Sequence, residues 1–177
     1  VALSAAFDGG NLCRTRPPIG AHYPWGYRLR SRRASMTTTH DILRLKGHTV
    51  HSVRPDDTVL AALGVMAEHD IGAVLVLEGD QIVGILTERD YARKVALMGR
   101  ASKDSPVRSI MTADVVCVPP SGTVEDCMGL MTERRVRHLP VVEHGRVVGL
   151  VSIGDLVKAT IDEQEFTISQ LKNYIAG

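Results

Sequence analysis

Two pairs of residues in this 177-residue chain combine a hydroxyl and a carboxylate at the start of a predicted helix. Thr87 and Asp90 form one pair, and Ser152 and Asp155 form the other. In each case a short apolar run predicts a buried strand that ends where the helix begins. The unpaired amides of a first helical turn attract an anion, and the hydroxyl can donate to a phosphate oxygen. The aspartate could accept hydrogen bonds from a ribose diol, so the pattern favours a nucleotide.

The same pattern also has a purely structural interpretation. Thr-x-x-Asp and Ser-x-x-Asp are close to the capping box, in which the acid reaches back to the amide of the N-cap residue. The capping box prefers Glu or Gln at the acidic position, which Asp90 and Asp155 do not provide. From these residues alone, helix capping and ligand binding both stay open.

Both pairs lie within a longer internal repeat. Residues 53–95 and 118–160 align over 43 positions without a gap, and 12 positions are identical. Chance pairing at ordinary composition would give roughly three identities. A repeat of this length indicates a duplicated supersecondary unit whose copies bury their apolar faces together.

Each copy is predicted to run strand, helix, strand, strand, helix. The predicted strands are 49–53, 73–77, 82–86, 115–118, 139–142 and 147–151, and the second helix of the first copy is predicted to continue to Leu97. One copy is too small to cover both faces of its sheet. The fold class is therefore α/β (α+β), with two pseudo-symmetric β-α-β-β-α repeats packed sheet to sheet.

At this point the residues resemble a known family. Both copies carry G-h-x-T/S-x-x-D after their second buried strand, and the second copy carries R-H-L-P-V-V before it. Over residues 42–160 the chain resembles a pair of cystathionine-β-synthase (CBS) domains, or Bateman module. The resemblance implies two clefts for adenosine-containing ligands such as AMP, ADP, ATP, NAD or S-adenosylmethionine, and a disk-like dimer of modules. It also implies that Thr87 and Ser152 contact phosphates and that Asp90 and Asp155 bind ribose hydroxyls.

The resemblance further nominates Arg137 and His138 as phosphate contacts. The first copy has Gly72 and Ala73 at these positions, and it has Arg89 where the second copy has a glycine. We therefore expect two clefts that differ in affinity or in ligand.

The resemblance also nominates residues in and near the first strand of each repeat, the lead strand, because in this family the lead strands contact the adenine. The remaining nominated residues are Val50, His51, Met111, Thr112, Val116 and Pro140. Lys46, just before the first lead strand, could reach a phosphate or be an ordinary surface lysine.

The sequence contains no arrangement that indicates catalysis. It has no P-loop and no Ser/His/Asp or Cys/His motif, so we expect no catalytic residue and no catalytic cofactor. His48 and His51 would point to opposite faces of an extended chain, so we expect no metal site. The first hypothesis is a non-enzymatic regulatory module that senses an adenine nucleotide and signals to an unknown effector protein through a homodimer. The alternatives are a structural dimerisation module without a ligand and an enzyme acting on a nucleotide.

Composition separates the chain into four parts. Residues 1–35 hold six arginines and one acid, and we interpret them as an extension before a natural start at Met36, a transit peptide or a disordered segment. Repeats at 42–100 and 106–160 follow, and residues 161–177 predict an amphipathic helix that needs a partner surface, in its own domain or a second subunit.

The rest of the composition excludes several classes of partner. The mildly acidic repeat region argues against nucleic acid, and no apolar run reaches the roughly 20 residues needed to cross a membrane. Three cysteines match no disulfide framework, which favours a reducing compartment. We expect the cytoplasm, or an organelle if residues 1–35 are a transit peptide.

Overall fold

The computed structural model describes residues 14–15, 37–97 and 102–176. The α-helices are α1 (Thr39–Lys46), α2 (Val59–Glu68), α3 (Glu88–Tyr91), α4 (Val124–Arg134) and α5 (Ile153–Ala176). The strands are β1 (Arg14–Thr15), β2 (Ser52–Val53), β3 (Ala73–Glu78), β4 (Gln81–Thr87), β5 (Val116–Cys117), β6 (His138–Glu143) and β7 (Arg146–Ser152). None of the helices in the described part of the chain is both long and apolar enough to span a membrane.

The helices of the two repeats begin in the same way. The hydroxyl of Thr58 accepts from the amide of Ala61 at the start of α2, and the hydroxyl of Thr123 accepts from the amide of Asp126 at the start of α4. Each threonine precedes an apolar stripe at helical spacing, so capping and burial place the start of the helix at the same residue.

Both repeats also build their strands in the same way. In the first, β2 pairs in parallel with β3, and β3 pairs antiparallel with β4. In the second, β6 pairs antiparallel with β7, and Val118 bridges Val141 in parallel. Val53 opposite Val76 is the matching pair in the first repeat. The described strands therefore have the predicted pseudo-symmetric order, in a mixed α and β fold.

A cluster of buried residues lies between the two sheets. The first sheet contributes Leu75, Ile82 and Ile85, and the second repeat contributes Val115, Cys117 and Val142. This cluster joins the repeats face to face, which agrees with the predicted packing of sheet on sheet.

Each repeat also has its own core, and each core is completed by a segment that precedes the other repeat. From α1, Ile42 and Leu43 pack into the core of the second repeat, and the Thr39 amide donates to the Gly122 carbonyl at 2.8 Å. In return, Val107 and Ile110 pack into the core of the first repeat. We call this arrangement the exchanged segments.

The structure corrects one prediction about the first half of the chain. The helix after Thr87 is only α3, followed by a π-helix at Ala92–Ala96, and Leu97 is 81% exposed rather than part of an apolar face. The predicted extension at 1–35 lies outside the described residues except for β1, which pairs in parallel with β5.

The cysteines also differ from expectation. Cys127 is free and fully buried, as predicted, and burial together with the nearby Asp126 raises the pKa of its thiol to about 12. Cys117, however, is disulfide-bonded. Pairing depends on which segments the fold brings together, which cysteine spacing alone does not reveal. The cysteines therefore no longer argue for a reducing compartment.

Candidate functional site

The two strand–helix junctions have the same backbone geometry. The Glu88 amide donates to the Gly72 carbonyl at 3.2 Å, and the Ile153 amide donates to the Arg137 carbonyl at 2.9 Å. Each bond ties the first residue of a helix to the chain that enters the neighbouring strand. One first-turn amide of each helix is consequently occupied within the protein.

Both aspartates of the motif form the capping box. The Thr87 hydroxyl donates to Asp90 Oδ2 at 2.6 Å, and the Thr87 amide donates to the same oxygen at 3.2 Å. At the second junction the Ser152 hydroxyl and amide donate to Asp155 Oδ2 at 2.8 and 2.7 Å. The structural interpretation of the motif is therefore realised, and binding must use the remaining capacity of each carboxylate.

The same sequence pattern caps helices elsewhere in the chain. Thr38 and Asp41 form a complete capping box at α1, and the Thr123 hydroxyl donates to Asp126 at 2.8 Å. Neither of these pairs follows a buried strand at the sheet interface. The pattern alone does not identify a ligand site, and its surroundings have to decide.

The surroundings of Ser152 contain a cavity of about 180 Å³. Residues from both repeats line it, together with the last residue of α1: Lys46, Asp70, Ile71, Gly72, Ala73, His138, Leu150 and Ser152. Five of these were nominated from the sequence, namely Lys46, Gly72, Ala73, His138 and Ser152. We call this space the Asp155 cleft, after the carboxylate at its edge.

An ion pair closes one side of the Asp155 cleft. Lys46 Nζ lies 2.6 Å from Asp155 Oδ2, and both side chains are partly exposed. Burial by itself would raise the pKa of the Asp155 carboxyl, but hydrogen bonds from Lys46 and Ser152 outweigh it and hold that pKa below its ordinary value. Asp155 Oδ2 thus has three donors, while Oδ1 has no recorded partner among the described residues.

His138 occupies the middle of the cleft. It lies opposite Ser152 in the antiparallel pair of β6 and β7. Burial lowers the pKa of His138, Asp155 opposes that shift, and the positive charges of Lys46 and Arg137 add to it. The imidazole therefore favours its neutral form, which can both donate and accept a hydrogen bond.

The carboxylate at the other junction is fully occupied. Lys94 Nζ lies 2.8 Å from Asp90 Oδ1, and the Thr112 hydroxyl donates to the same oxygen at 3.2 Å. The Lys94 ammonium also donates to the Ile110 carbonyl at 2.7 Å. With Thr87 on Oδ2, both oxygens of Asp90 already have partners within the protein.

The edges of β4 and β7 beside the two junctions also differ, since one is paired with Thr112 and the other borders the cavity. Beside β4, Ile85 and Thr112 exchange two backbone hydrogen bonds, of 3.0 and 2.9 Å. Thr112 therefore covers the edge next to Thr87. Beside β7, the corresponding residue Leu150 lines the cavity. The Asp155 cleft is open where the Asp90 junction is covered.

Several nominated residues lie elsewhere. Arg89 and Arg137 are exposed and do not line the cavity, although the Arg137 carbonyl fixes the start of α5. Each corresponds to an exposed position beside the motif, so the sequence pattern could not tell which way the side chain leaves. The Arg137 charge nevertheless acts on His138 in the cleft, so the proposed contacts of Arg89 and Arg137 with a phosphate stay predictions.

The residues nominated in and near the lead strands contribute to packing and do not line the cavity. Val50 packs against the cluster between the sheets, His51 stacks on His69 with ring centroids 3.8 Å apart, and Met111 packs against the first core. Val116 lies in β5, and Pro140 is buried in β6, where its carbonyl accepts from the Val118 amide.

The sequence reasoning missed residues that matter at both junctions. Lys94 stands four residues after Asp90, a spacing at which opposite charges meet on a helix, and the second copy has Ala159 there. That asymmetry was visible in the sequence. Asp70, Ile71 and Leu150 line the cavity without any motif to mark them.

A larger groove of about 430 Å³ lies at the opposite end of β3, between the β2–α2 turn and the β3–β4 turn. Its lining includes three carboxylates, those of Asp56, Asp57 and Glu78. None of the nominated residues lies there, so volume alone is a poor guide in this protein.

Comparisons with known proteins agree with this architecture. The CBS domain model matches residues 38–97 and 107–162. The chain is 39% identical over 150 residues to the CBS domain-containing protein CBSX3, mitochondrial, of Arabidopsis thaliana, covering 80% of this chain and 73% of that protein. A putative signal-transduction protein with CBS domains from Burkholderia ambifaria has a solved structure that is 53% identical, with a TM-score of 0.70 over 72% of this chain and 96% of that one.

A more distant solved structure shares the fold. It is a CBS domain pair in complex with 5′-methylthioadenosine and S-adenosyl-L-methionine, 22% identical, with a TM-score of 0.64. The likeness covers 72% of this chain and 98% of that one.

Proposed function

Because the chain belongs to the CBS-domain family, we propose that it is a non-enzymatic regulatory module that binds an adenosine-containing ligand such as AMP, ADP, ATP or NAD. The observation that carries the proposal is the Asp155 cleft, a cavity that both repeats line beside the hydroxyl and carboxylate of the motif. The solved CBS pair with adenosine derivatives is a precedent for the ligand class only, because its 22% identity to this chain establishes fold and not ligand.

The chemistry of the cleft suits the three parts of such a ligand. Lys46 supplies a positive charge for a phosphate, and the Ser152 hydroxyl, which donates to Asp155 in the ligand-free chain, can turn its hydrogen to a phosphate oxygen when a ligand binds. Asp155 Oδ1 is available for a ribose hydroxyl. Ile71, Ala73 and Leu150 give apolar walls for the base.

Binding in this cleft would exchange charge partners. In the ligand-free chain Lys46 neutralises Asp155. A phosphate would attract Lys46, and ribose hydroxyls would replace the ammonium as donors to Asp155. Each of these partly exposed charges then keeps a partner throughout.

The same exchange of charge partners would couple ligand binding to the arrangement of α1 and α5. Lys46 ends α1, and α1 packs on the second repeat. A ligand that draws Lys46 away from Asp155 would change the restraint between α1 and α5. Such a ligand can shift the equilibrium between two arrangements only as far as it binds one of them better. We propose that a dimer of the chain conveys this difference to an effector protein.

The two junctions are proposed to differ in affinity. The Asp155 cleft has a free carboxylate oxygen and an open strand edge, whereas Asp90 is held by Lys94, Thr87 and Thr112. A ligand at Asp90 would have to displace several internal bonds before it gained its own. We therefore propose a tight site at Asp155 and a weak one at Asp90.

The first experiment is mass spectrometry of small molecules that co-purify with the native protein, followed by calorimetry with AMP, ATP and NAD. We expect one of these to bind with a stoichiometry near one ligand per chain. Two identical independent sites would contradict the proposed asymmetry. No heat and no thermal shift with any of them would overturn the proposal.

One observation favours a second candidate, a structural module without a physiological ligand. Both motif aspartates are committed to capping boxes. If capping is their only role, the native chain should already give flat titrations with AMP, ATP and NAD, and Asp155→Ala should lower stability without changing them.

A further inference from the structure

The C-terminal half of α5 extends beyond the body of the fold. Leu156, near its start, is fully buried, but from residue 164 onward every described side chain of the helix is exposed. The described part of α5 runs over 24 residues, which corresponds to about 36 Å. A projecting helix of a dozen residues is marginally stable in water on its own. It therefore needs something to pack against.

Five of the eight large exposed apolar residues of α5 follow a heptad pattern. Its a positions are Ile161, Ile168 and Ile175, and its d positions are Val157, Gln164 and Leu171. The five apolar members are between 42% and 82% exposed. A 3.5-residue apolar period is the pattern of a two-helix seam rather than of a helix lying on a globular core, which uses a wider stripe.

The residue types at the a and d positions favour pairing of α5 with the α5 of a second copy, with the two helices parallel. All three a positions are isoleucine, and β-branched residues at a are typical of parallel two-stranded coiled coils, which prefer leucine at d, as at Leu171. Gln164 is the one polar member of the seam, at a d position, and a parallel in-register pair places its amide against the same amide of the second copy. In a parallel in-register pair all six seam positions meet their own equivalents, so the surface is self-complementary.

The charges beside the seam exclude the antiparallel alternative. The e positions are Lys158, Glu165 and Lys172, and the g positions are Thr160, Thr167 and Tyr174. A fully overlapping antiparallel pair would bring Glu165 against Glu165 of the second copy and Lys158 against its Lys172. In a parallel pair, e positions face g positions, which carry no charge here.

We propose that two copies of this chain associate through a parallel coiled coil formed by residues 157–175 of α5. The surface lies apart from the Asp155 cleft. The inference deepens the proposed function by naming the contact through which a dimer forms. Its test uses no ligand, so its failure would be distinguishable from a failure of ligand binding.

The test measures the molar mass of the full chain by sedimentation equilibrium. The native chain should have twice the 19.2 kDa mass of one chain. Ile168→Asp, in the middle of the seam, should weaken the association at least tenfold. Phe166→Asp is the matched control, because Phe166 is also apolar and exposed, 65% against 51% for Ile168, but stands at an f position facing away from the seam. A monomeric native chain, or Ile168→Asp that stays dimeric, would overturn the proposal.

Orientation has its own test. Leu171→Cys should give a covalent dimer in oxidised glutathione, because the two Leu171 positions meet in a parallel pair. In the antiparallel pair they would be ten residues apart along the axis, about 15 Å. Gln170→Cys, at an outward c position, and the native chain should remain non-covalent. Absence of the Leu171→Cys dimer when the native chain is dimeric would overturn the parallel arrangement.

Discussion

Lys46 and Asp155 form an ion pair across 109 residues of sequence, with 2.6 Å between Nζ and Oδ2. Asp90, the equivalent of Asp155 in the other repeat, is instead paired with Lys94 only four residues away. A distant partner can be separated by a ligand that comes between the segments. A partner only four residues away in the chain stays in place. This difference underlies the predictions for the two repeats.

Replacing Asp155 or Asp90 by alanine should have different effects on binding and on stability. Asp155→Ala should weaken nucleotide binding by about 10- to 100-fold, because a charged hydrogen bond contributes about 1.5–3 kcal/mol. Asp90→Ala should leave the tight binding within a fewfold of native and lower the free energy of unfolding by about 1–2 kcal/mol through the lost cap and ion pair. Calorimetry and denaturant titration of both variants measure the two effects. Equal loss of binding in both would refute the asymmetry.

The ammonium of Lys46 should serve the phosphate rather than the base. Lys46→Met keeps the length of the side chain and removes the charge, so ATP binding should weaken about tenfold while adenosine binding changes little. Lys103→Met, at an exposed lysine outside the cleft, is the control. The measurement is a set of parallel titrations with adenosine and ATP. A similar loss for both ligands would mean that Lys46 acts only through the fold.

Stability should fall between neutral and mildly acidic pH through His138. Burial lowers the pKa of His138, so the unfolded chain, with a histidine pKa of about 6.5, binds a proton more readily than the folded chain. The stabilisation is present above about pH 6.5 and is lost as the pH falls towards the lower folded pKa. Melting temperatures between pH 7.5 and 5 should therefore decline less steeply in His138→Gln.

Exposed His144 provides the control for that profile. It stands in the β6–β7 turn at φ +49°, where asparagine is tolerated, so His144→Asn should decline like the native chain. If His138→Gln and the native chain decline in parallel, His138 is not the responsible group.

Two glycines of the repeat should respond in opposite directions to alanine. A Cβ on Gly149 would lie 2.5 Å from both terminal carbons of Leu43, so Gly149→Ala should lower the free energy of unfolding by about 1–3 kcal/mol. Gly129 has open space around it within α4, so Gly129→Ala should raise that free energy by about 0.5–1 kcal/mol. Urea denaturation measures both. A stable Gly149→Ala would mean that Leu43 can move aside.

The sequence predicted the strands well because the repeat and its apolar runs agree. The run predicted at 73–77 is β3, Ala73–Glu78, and the one at 147–151 is β7, Arg146–Ser152. Buried runs bounded by turn residues are local features, so one sequence suffices to find them. The hydroxyl and carboxylate at each junction were found for the same reason.

The partners of those junctions were not predictable in the same way. Lys46 reaches Asp155 only because α1 packs on the second repeat, and Leu150 lines the cavity only because its strand edge stays open. Arg137 is predicted to contact a phosphate; it is exposed and does not line the cavity, and that contact stays a prediction. Such outcomes depend on how distant segments pack, which local pattern does not determine.

Because of the exchanged segments, each repeat depends on the other half of the chain to complete its core. Cutting the chain between residues 97 and 107 would give a first fragment that has Ile42 and Leu43 but lacks the core that they fill. The second fragment would likewise have Val107 and Ile110 without the core that they fill. Neither fragment holds a complete core, although each contains one whole copy of the repeat. The two copies thus became obligate halves of one folding unit, and fragments mixed together would regain the fold only by complementing each other.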